Sequence, residues 1–267
     1  MSTTVFTNRI ELVPAAEKAL NFAARFWFAV SVLGQWAFLY YIVAFYGTST
    51  AQGNFQAWTK NKFLYKGYVP GDRAGNLAFA AHALLAAVIA FGGAVQIIPH
   101  IRKRWPRLHR WNGRTFLTTA LALSASGLYM VWIRRSTPGL YGAIGVSLNG
   151  VLIILFAILA WRTAVQRNMI AHRRWALRTF IVSNGQWFTR IGMMAWMVLN
   201  HGKDRGFFRV WTFGSYLFPL LILELYLWAK DSTSSGRQYA VAGVLFVLTL
   251  LSGLGISVLT VFYGKLL

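Results

Sequence analysis

Seven stretches of roughly 20 or more mostly apolar residues succeed one another along the chain: Phe22–Tyr46, Ala74–Ile98, Trp111–Ile133, Tyr141–Trp161, Ala176–Leu199, Phe207–Trp228 and Tyr239–Phe262. Each is long enough to cross about 30 Å of hydrocarbon as a helix rising about 1.5 Å per residue. Short polar loops carrying Gly, Pro, Lys and Arg separate them. One connector, 47–73, is longer and rich in aromatic residues, and is expected to fold over the extracytoplasmic membrane face. The pattern predicts an all-α fold, a polytopic integral membrane helical bundle of about seven transmembrane helices. It leaves no second soluble domain, so residues 1–267 read as one transmembrane domain.

Composition supports a bilayer as the solvent. The chain is 57% hydrophobic and 12% charged, with 12 Trp, 11 Tyr and 20 Phe. The opening segment MSTTVFTNRIELVPAAEKAL has acids and a proline where a basic region should feed an apolar core, so it does not read as a cleavable signal peptide. The first helix is expected to direct insertion.

A formal net charge of +21 raises the question of nucleic acid. The basic residues sit at helix ends, however, and no nucleic-acid motif accompanies them, which argues for lipid instead. Cytoplasmic loops are enriched in Lys and Arg. With seven helices, the amino-terminal side carries sixteen Lys/Arg and the other side ten, with Arg190 inside a span. The amino terminus is therefore expected to be cytoplasmic, in a bacterial inner membrane. Expected partners are the bilayer, anionic lipids attracted to the basic loops, and subunits of a membrane complex.

The absence of cysteine removes disulfides, iron–sulfur clusters and thiol nucleophiles. No P-loop, dinucleotide fingerprint or HExxH pattern occurs, and six carboxylates in the whole chain argue against a carboxylate-rich metal centre.

Ionisable groups inside a span are costly and normally face the bundle interior. Here they are His82 in the second span, Arg178 and Arg190 in the fifth, and Glu224 in the sixth. Residues three or four apart share a helix face. His82, Ala86, Ile89, Gly93, Gln96 and His100 thus form one stripe on the second helix. His109, Asn112, Thr115, Thr119, Ala122 and Ser126 form another on the third, and His172, Trp175, Thr179, Ser183, Gln186 and Arg190 a third on the fifth. Small and hydroxylated residues in such stripes are what close transmembrane packing uses. Arg190 needs more, namely a carboxylate, a water-filled cavity or an anionic ligand. By depth, Arg178 or Arg114 suits Glu224 better than Arg190 does.

Two blocks nearly repeat, LHRWNGRTF at 108–116 and AHRRWALRTF at 171–180. Both precede odd-numbered helices, which puts His109 and His172 at similar depth, with His100 near enough to complete a cluster. Two imidazoles at equal depth are what a bis-histidine haem b requires, with Arg114 and Arg178 to receive propionates. Interfacial Trp, Arg and His also anchor helices to lipid phosphates without any cofactor.

The run FAAHALLAAVIAFGGAVQIIPHIRKRWPRLHRWNGRTF, with the later IAHRRWALRTFIVSNGQWFTRIG, resembles the bacterial predicted membrane protein family called domain of unknown function 2306. The resemblance rests on a histidine early in a helix (His82), Gly and Gln before its end (Gln96), a basic Trp-Pro linker, His109-Arg110, Gly113-Arg114, and His172-Arg173-x-Trp175 with Arg190 beyond. Leu177 stands where the family often has Met. The matching part runs from Phe79 to about Arg190, within a motif-bearing four-helix core at 74–199. It implies a helical membrane protein in which His82, His109, His172 and Arg190 belong to one set, and it supplies no activity.

Three functions remain open from the sequence. One is transmembrane electron transfer through haem b at His109 and His172, with Arg114, Arg178 and Arg190 around it. Another is a non-enzymatic protein that binds or transports an anionic or lipid-like ligand at Arg190 and His82. The third is a structural subunit of a membrane complex.

Overall fold

A computed structural model of the chain describes residues 3–61 and 64–267, with side chains from residue 15 onward. Glu11 and Pro14 of the opening segment, and Arg9 and Lys62 of the charge count, lie outside the described side chains. Among the described residues there is no strand. Helix α1 (Thr3–Tyr41) runs on through a π-helical stretch, Ile42–Gly47, into one further α-turn, Thr48–Ala51. It is followed by α2 (Arg73–Ile97), α3 (Pro106–Trp132), α4 (Gly139–Val165), α5 (Met169–Ser183), α6 (Gly185–Leu199), α7 (Phe207–Lys230) and α8 (Ser235–Gly264). A short helix, Pro99–Arg104, links α2 to α3.

Six helices are long and apolar enough to cross a membrane: α1 with its continuation, α2, α3, α4, α7 and α8. The fifth apolar window is not one helix. It divides at Asn184, whose backbone N–H is shared between the carbonyls of Phe180 and Ile181. The Asn184 side-chain amide also donates to the Phe180 carbonyl at 2.8 Å. A side chain in the hydrogen-bond ladder, followed by Gly185, is a recognised cause of a helix break. The first window also ends later than its apolar run suggests, because the π-stretch carries the helix past Tyr46. The hydroxyls of Ser49 and Thr50 bond back to the carbonyls of Phe45 and Tyr46 at 2.6 and 2.5 Å.

Helices α2 to α5 pack in chain order, α2 on α3, α3 on α4 and α4 on α5. Helix α8 lies along α1 and α6, and α7 leans on α6. Glycines set two of these approaches. A Cβ at Gly93 would lie 2.9 Å from Phe180 and 3.0 Å from Phe116, so its absence lets α2 nest on α3 and α5. A Cβ at Gly255 would strike the Ile191 carbonyl, which fixes α8 against α6.

The connector is tied down at both ends. Trp58 is fully buried and donates its indole N–H to Ser49 Oγ at 2.7 Å. Asp72 caps α2 by accepting from the Gly75 N–H at 2.8 Å. Arg134, at the end of α3, reaches Asp72 Oδ2 at 3.1 Å, the Gly67 carbonyl at 3.1 Å and Asn76 Oδ1 at 2.6 Å. Hydrogen bonds and the Asp72 end of Arg134 together lower the Asp72 pKa, the Gly75 N–H contributing most.

Candidate functional site

The polar stripes of α2 and α3 meet one another along part of their length. At the end nearer the linker helix, Asn112 Nδ2 donates to the Gly92 carbonyl at 2.8 Å and to Gln96 Oε1 at 2.9 Å. Gln96 Nε2 lies 3.2 Å from His109 Nε2. Gly113 leaves the room this requires, since a Cβ there would sit 2.7 Å from Gln96 Nε2. At the other end of the same seam, His82 Nδ1 lies 2.9 Å from Ser126 Oγ.

His172 turns toward α4, with Nδ1 2.8 Å from the Ala160 carbonyl. It is close enough to His109 for the two rings to act on each other electrostatically. Arg178, one and a half turns further along α5, makes a two-pronged pair with Glu224 of α7. Nε to Oε1 and Nη2 to Oε2 are both 2.7 Å, and the guanidinium covers the Trp175 ring at 4.6 Å. Depth thus chose correctly between Arg178 and Arg190. Arg114 does not join this group. Five residues beyond His109 it points to another face of α3, exposed and stacked on the exposed Trp111 ring at 5.4 Å.

These placements do not support a haem between His109 and His172. The His109 Nε2 is held by Gln96, and Arg178, which was to receive a propionate, is committed to Glu224. His100 packs edge-on against Trp105. Among the described residues no three His, Asp or Glu side chains gather as a metal site.

In the other half of the bundle Arg190 lies within electrostatic reach of His82. The Arg190 Nη1 donates to the Gln186 carbonyl at 2.7 Å, and the guanidinium lies 5.0 Å from the centre of the Phe38 ring. Tyr263, Tyr41 and Tyr46 lie within electrostatic reach of the guanidinium, Tyr263 within hydrogen-bonding reach. Tyr41 and Tyr263 stack with ring centres 3.7 Å apart and planes within 5°. Asn61 Nδ2 donates to both Tyr41 Oη and Tyr46 Oη, at 3.2 and 3.1 Å. A cavity of about 220 Å³ within the connector is lined by Asn61, Trp58, Thr59, Lys66 and Tyr68.

No carboxylate answers Arg190 among the described residues, because each is engaged elsewhere: Asp72 by Arg134, Asp231 by Arg174, Glu224 by Arg178. Asp204 accepts from the Gly206 and Phe208 N–H groups, and Glu17 from Asn21.

The tyrosines were not singled out in the sequence, where they read as apolar span residues. Tyr41 and Tyr46 are five apart and would face different ways on an α-helix. The π-helical stretch, with bonds from i to i+5, brings such pairs to one side and is often found at functional sites.

Residues 79–227, more than half of the chain, match the family described as Predicted membrane protein (DUF2306). The chain belongs to this family. The match reaches beyond α6 to include most of α7, and so takes in Glu224 together with its partner Arg178. Comparisons with curated proteins and with solved structures find no match.

Proposed function

We propose that this DUF2306 member is a non-enzymatic multi-pass membrane protein that binds a small anionic ligand, carboxylate- or phosphate-bearing, at Arg190. Helices α5 and α6 together supply a seventh crossing beside the six long helices, and the amino terminus lies on the cytoplasmic side of a bacterial inner membrane, as the distribution of Lys and Arg favours. The observation that carries the binding role is a guanidinium within the helical bundle whose described carboxylates are all committed to other groups. An uncompensated charge at that depth is expensive, and an arriving anion removes the cost. Arg offers a planar fork suited to carboxylate or phosphate, while Tyr41, Tyr46, Tyr263 and His82 provide further polar groups around it.

The test is extraction of small anions from purified protein, followed by mass spectrometry. Wild type should carry a stoichiometric anion that Arg190→Leu loses and Arg190→Lys retains in part. Equal retention by Arg190→Leu sinks the reading. The alternative of haem electron transfer has less support, for the reasons of geometry given at His109.

A further inference from the structure

A second and larger cavity, of about 750 Å³, opens between α1, α5, α6, α7 and α8. It is lined by none of His82, His109, His172 or Arg190, so it is independent of the anion reading above. Its volume falls within the range of about 300–1,000 Å³ usual for ligand pockets. Most of its wall is aliphatic and aromatic, including Phe188, Phe218, Leu223 and Leu248. Toward the connector it is bounded by a stack of Trp196, Phe207 and Trp211, with successive ring centres 4.5 and 5.1 Å apart.

The opposite end has a different chemistry. Arg25 from α1, Arg173 from α5 and Lys230 from α7 all line it. The Tyr226 phenol lines the cavity along with both guanidiniums. Lys230 Nζ donates to Asn21 Oδ1 at 2.8 Å, which draws α7 toward α1 at this corner. None of the three cations forms an ion pair among the described residues. Of the acids near this end, Asp231 is taken by Arg174 at 2.6 Å, and Glu17 accepts from Asn21, the residue that holds Lys230.

We infer that this cavity holds an anionic phospholipid, with its phosphate at Arg25, Arg173 and Lys230 and its acyl chains along α7. The polarity runs one way, with cations and an amide at one end and only apolar and aromatic groups along the remainder. Helix α7 rises about 35 Å from Phe207 to Lys230, close to the thickness of a hydrocarbon core of about 30 Å. Chains entering from the basic end therefore have apolar wall for the whole depth of a leaflet. The aromatic far end offers no group to receive a headgroup, so the site binds a lipid and does not pass it across. A zwitterionic headgroup would bring its own cation toward three unpaired ones, whereas a net anion does not.

The experiment is native mass spectrometry of the full chain in detergent, with phosphatidylglycerol and phosphatidylcholine of identical acyl composition. Wild type should retain the anionic lipid at least about tenfold better than the zwitterionic one. The triple variant Arg25→Gln, Arg173→Gln, Lys230→Gln should lower phosphatidylglycerol binding about tenfold or more and leave phosphatidylcholine unchanged. Ala195→Phe, which fills apolar space and keeps the cations, should weaken both lipids, and it also serves if the triple variant does not fold. Arg190→Leu should leave lipid binding intact, which separates this site from the anion site. Equal retention of the two lipids by wild type overturns the inference. So does an unchanged triple variant, or a lipid-free dimer whose second copy covers the cavity.

Discussion

Arg178 and Glu224 face each other across α5 and α7 with both prongs of the guanidinium engaged at 2.7 Å. The pair is one of three ion pairs among the described residues, and it joins helices that meet along a limited surface. Its side chains are 18% and 43% exposed, so water and headgroups screen part of it.

Removing only one partner leaves the other charge without its hydrogen bonds. Glu224→Gln is expected to destabilise the protein by about 1–3 kcal/mol. Arg178→Met with Glu224→Met should recover much of the loss, because replacing both partners removes the stranded charge. Unfolding midpoints in a fixed detergent check both, and a double variant as weak as the single one would contradict this account.

The seam between α2 and α3 should respond in the same manner. Gln96→Leu removes the group that serves both Asn112 and His109, at a cost of about 0.5–2 kcal/mol, since hydrogen bonds between membrane helices are individually modest. His82→Phe removes the ring that meets Ser126 and should also alter anion retention, because His82 lies within electrostatic reach of Arg190. Gln96→Leu should leave anion retention near wild type, which distinguishes packing from binding.

Gly93 offers a test of packing alone. Gly93→Val would place carbon atoms where Phe116 and Phe180 already lie, and overpacking of this kind costs about 1–3 kcal/mol. The thermal midpoint should fall. An unchanged midpoint would mean that α2 and α5 are not this close.

The connector carries a pH dependence. The Asp72 pKa lies below its ordinary value of 3.8, first because of the Gly75 N–H and then because of Arg134. A carboxyl lowered in the folded protein contributes stability that is fully present above its unfolded pKa and lost as pH falls through the folded one. Protection of 52–72 against protease should therefore hold at neutral pH and decline in acid below about pH 4. Asp72→Asn should flatten that acid limb. A connector equally sensitive at pH 3 and pH 7 in the wild type would contradict the ion pair's role.

Much of the architecture was legible in the sequence because lipid imposes a simple requirement of length and apolarity. Every predicted apolar window corresponds to helix, and the 3.6-residue stripes contain the residues that meet, Gln96 with Asn112 and His82 with Ser126, although spacing along one helix does not say which helix it faces. Depth correctly set Arg190 aside and left Arg178 or Arg114 for Glu224, and the packing of α5 on α7 selects Arg178. The break at Asn184 was hidden because one amide among apolar residues barely changes a hydropathy window, although its side chain enters the backbone ladder. The π-stretch at 42–47 was hidden for a related reason, since a change of helical pitch leaves composition untouched. That stretch carries Tyr46 and follows Tyr41, so the aromatic surroundings of Arg190 could not be drawn from spacing. The matched His109 and His172 blocks suggested a shared metal, but each imidazole has a local partner, Gln96 for one and the Ala160 carbonyl for the other. Likewise Arg25, Arg173 and Lys230 lie far apart in sequence, and only the packing of α1, α5 and α7 reveals that they line one cavity.

The central claim is that Arg190 receives its countercharge from a bound anion. An experimental density map of the protein, purified without added ligand and at neutral pH, tests it most directly. The account predicts density for a non-protein anionic group in contact with the Arg190 guanidinium, on the side bounded by His82 and Tyr263. A map in which a protein carboxylate pairs with Arg190 instead would contradict it.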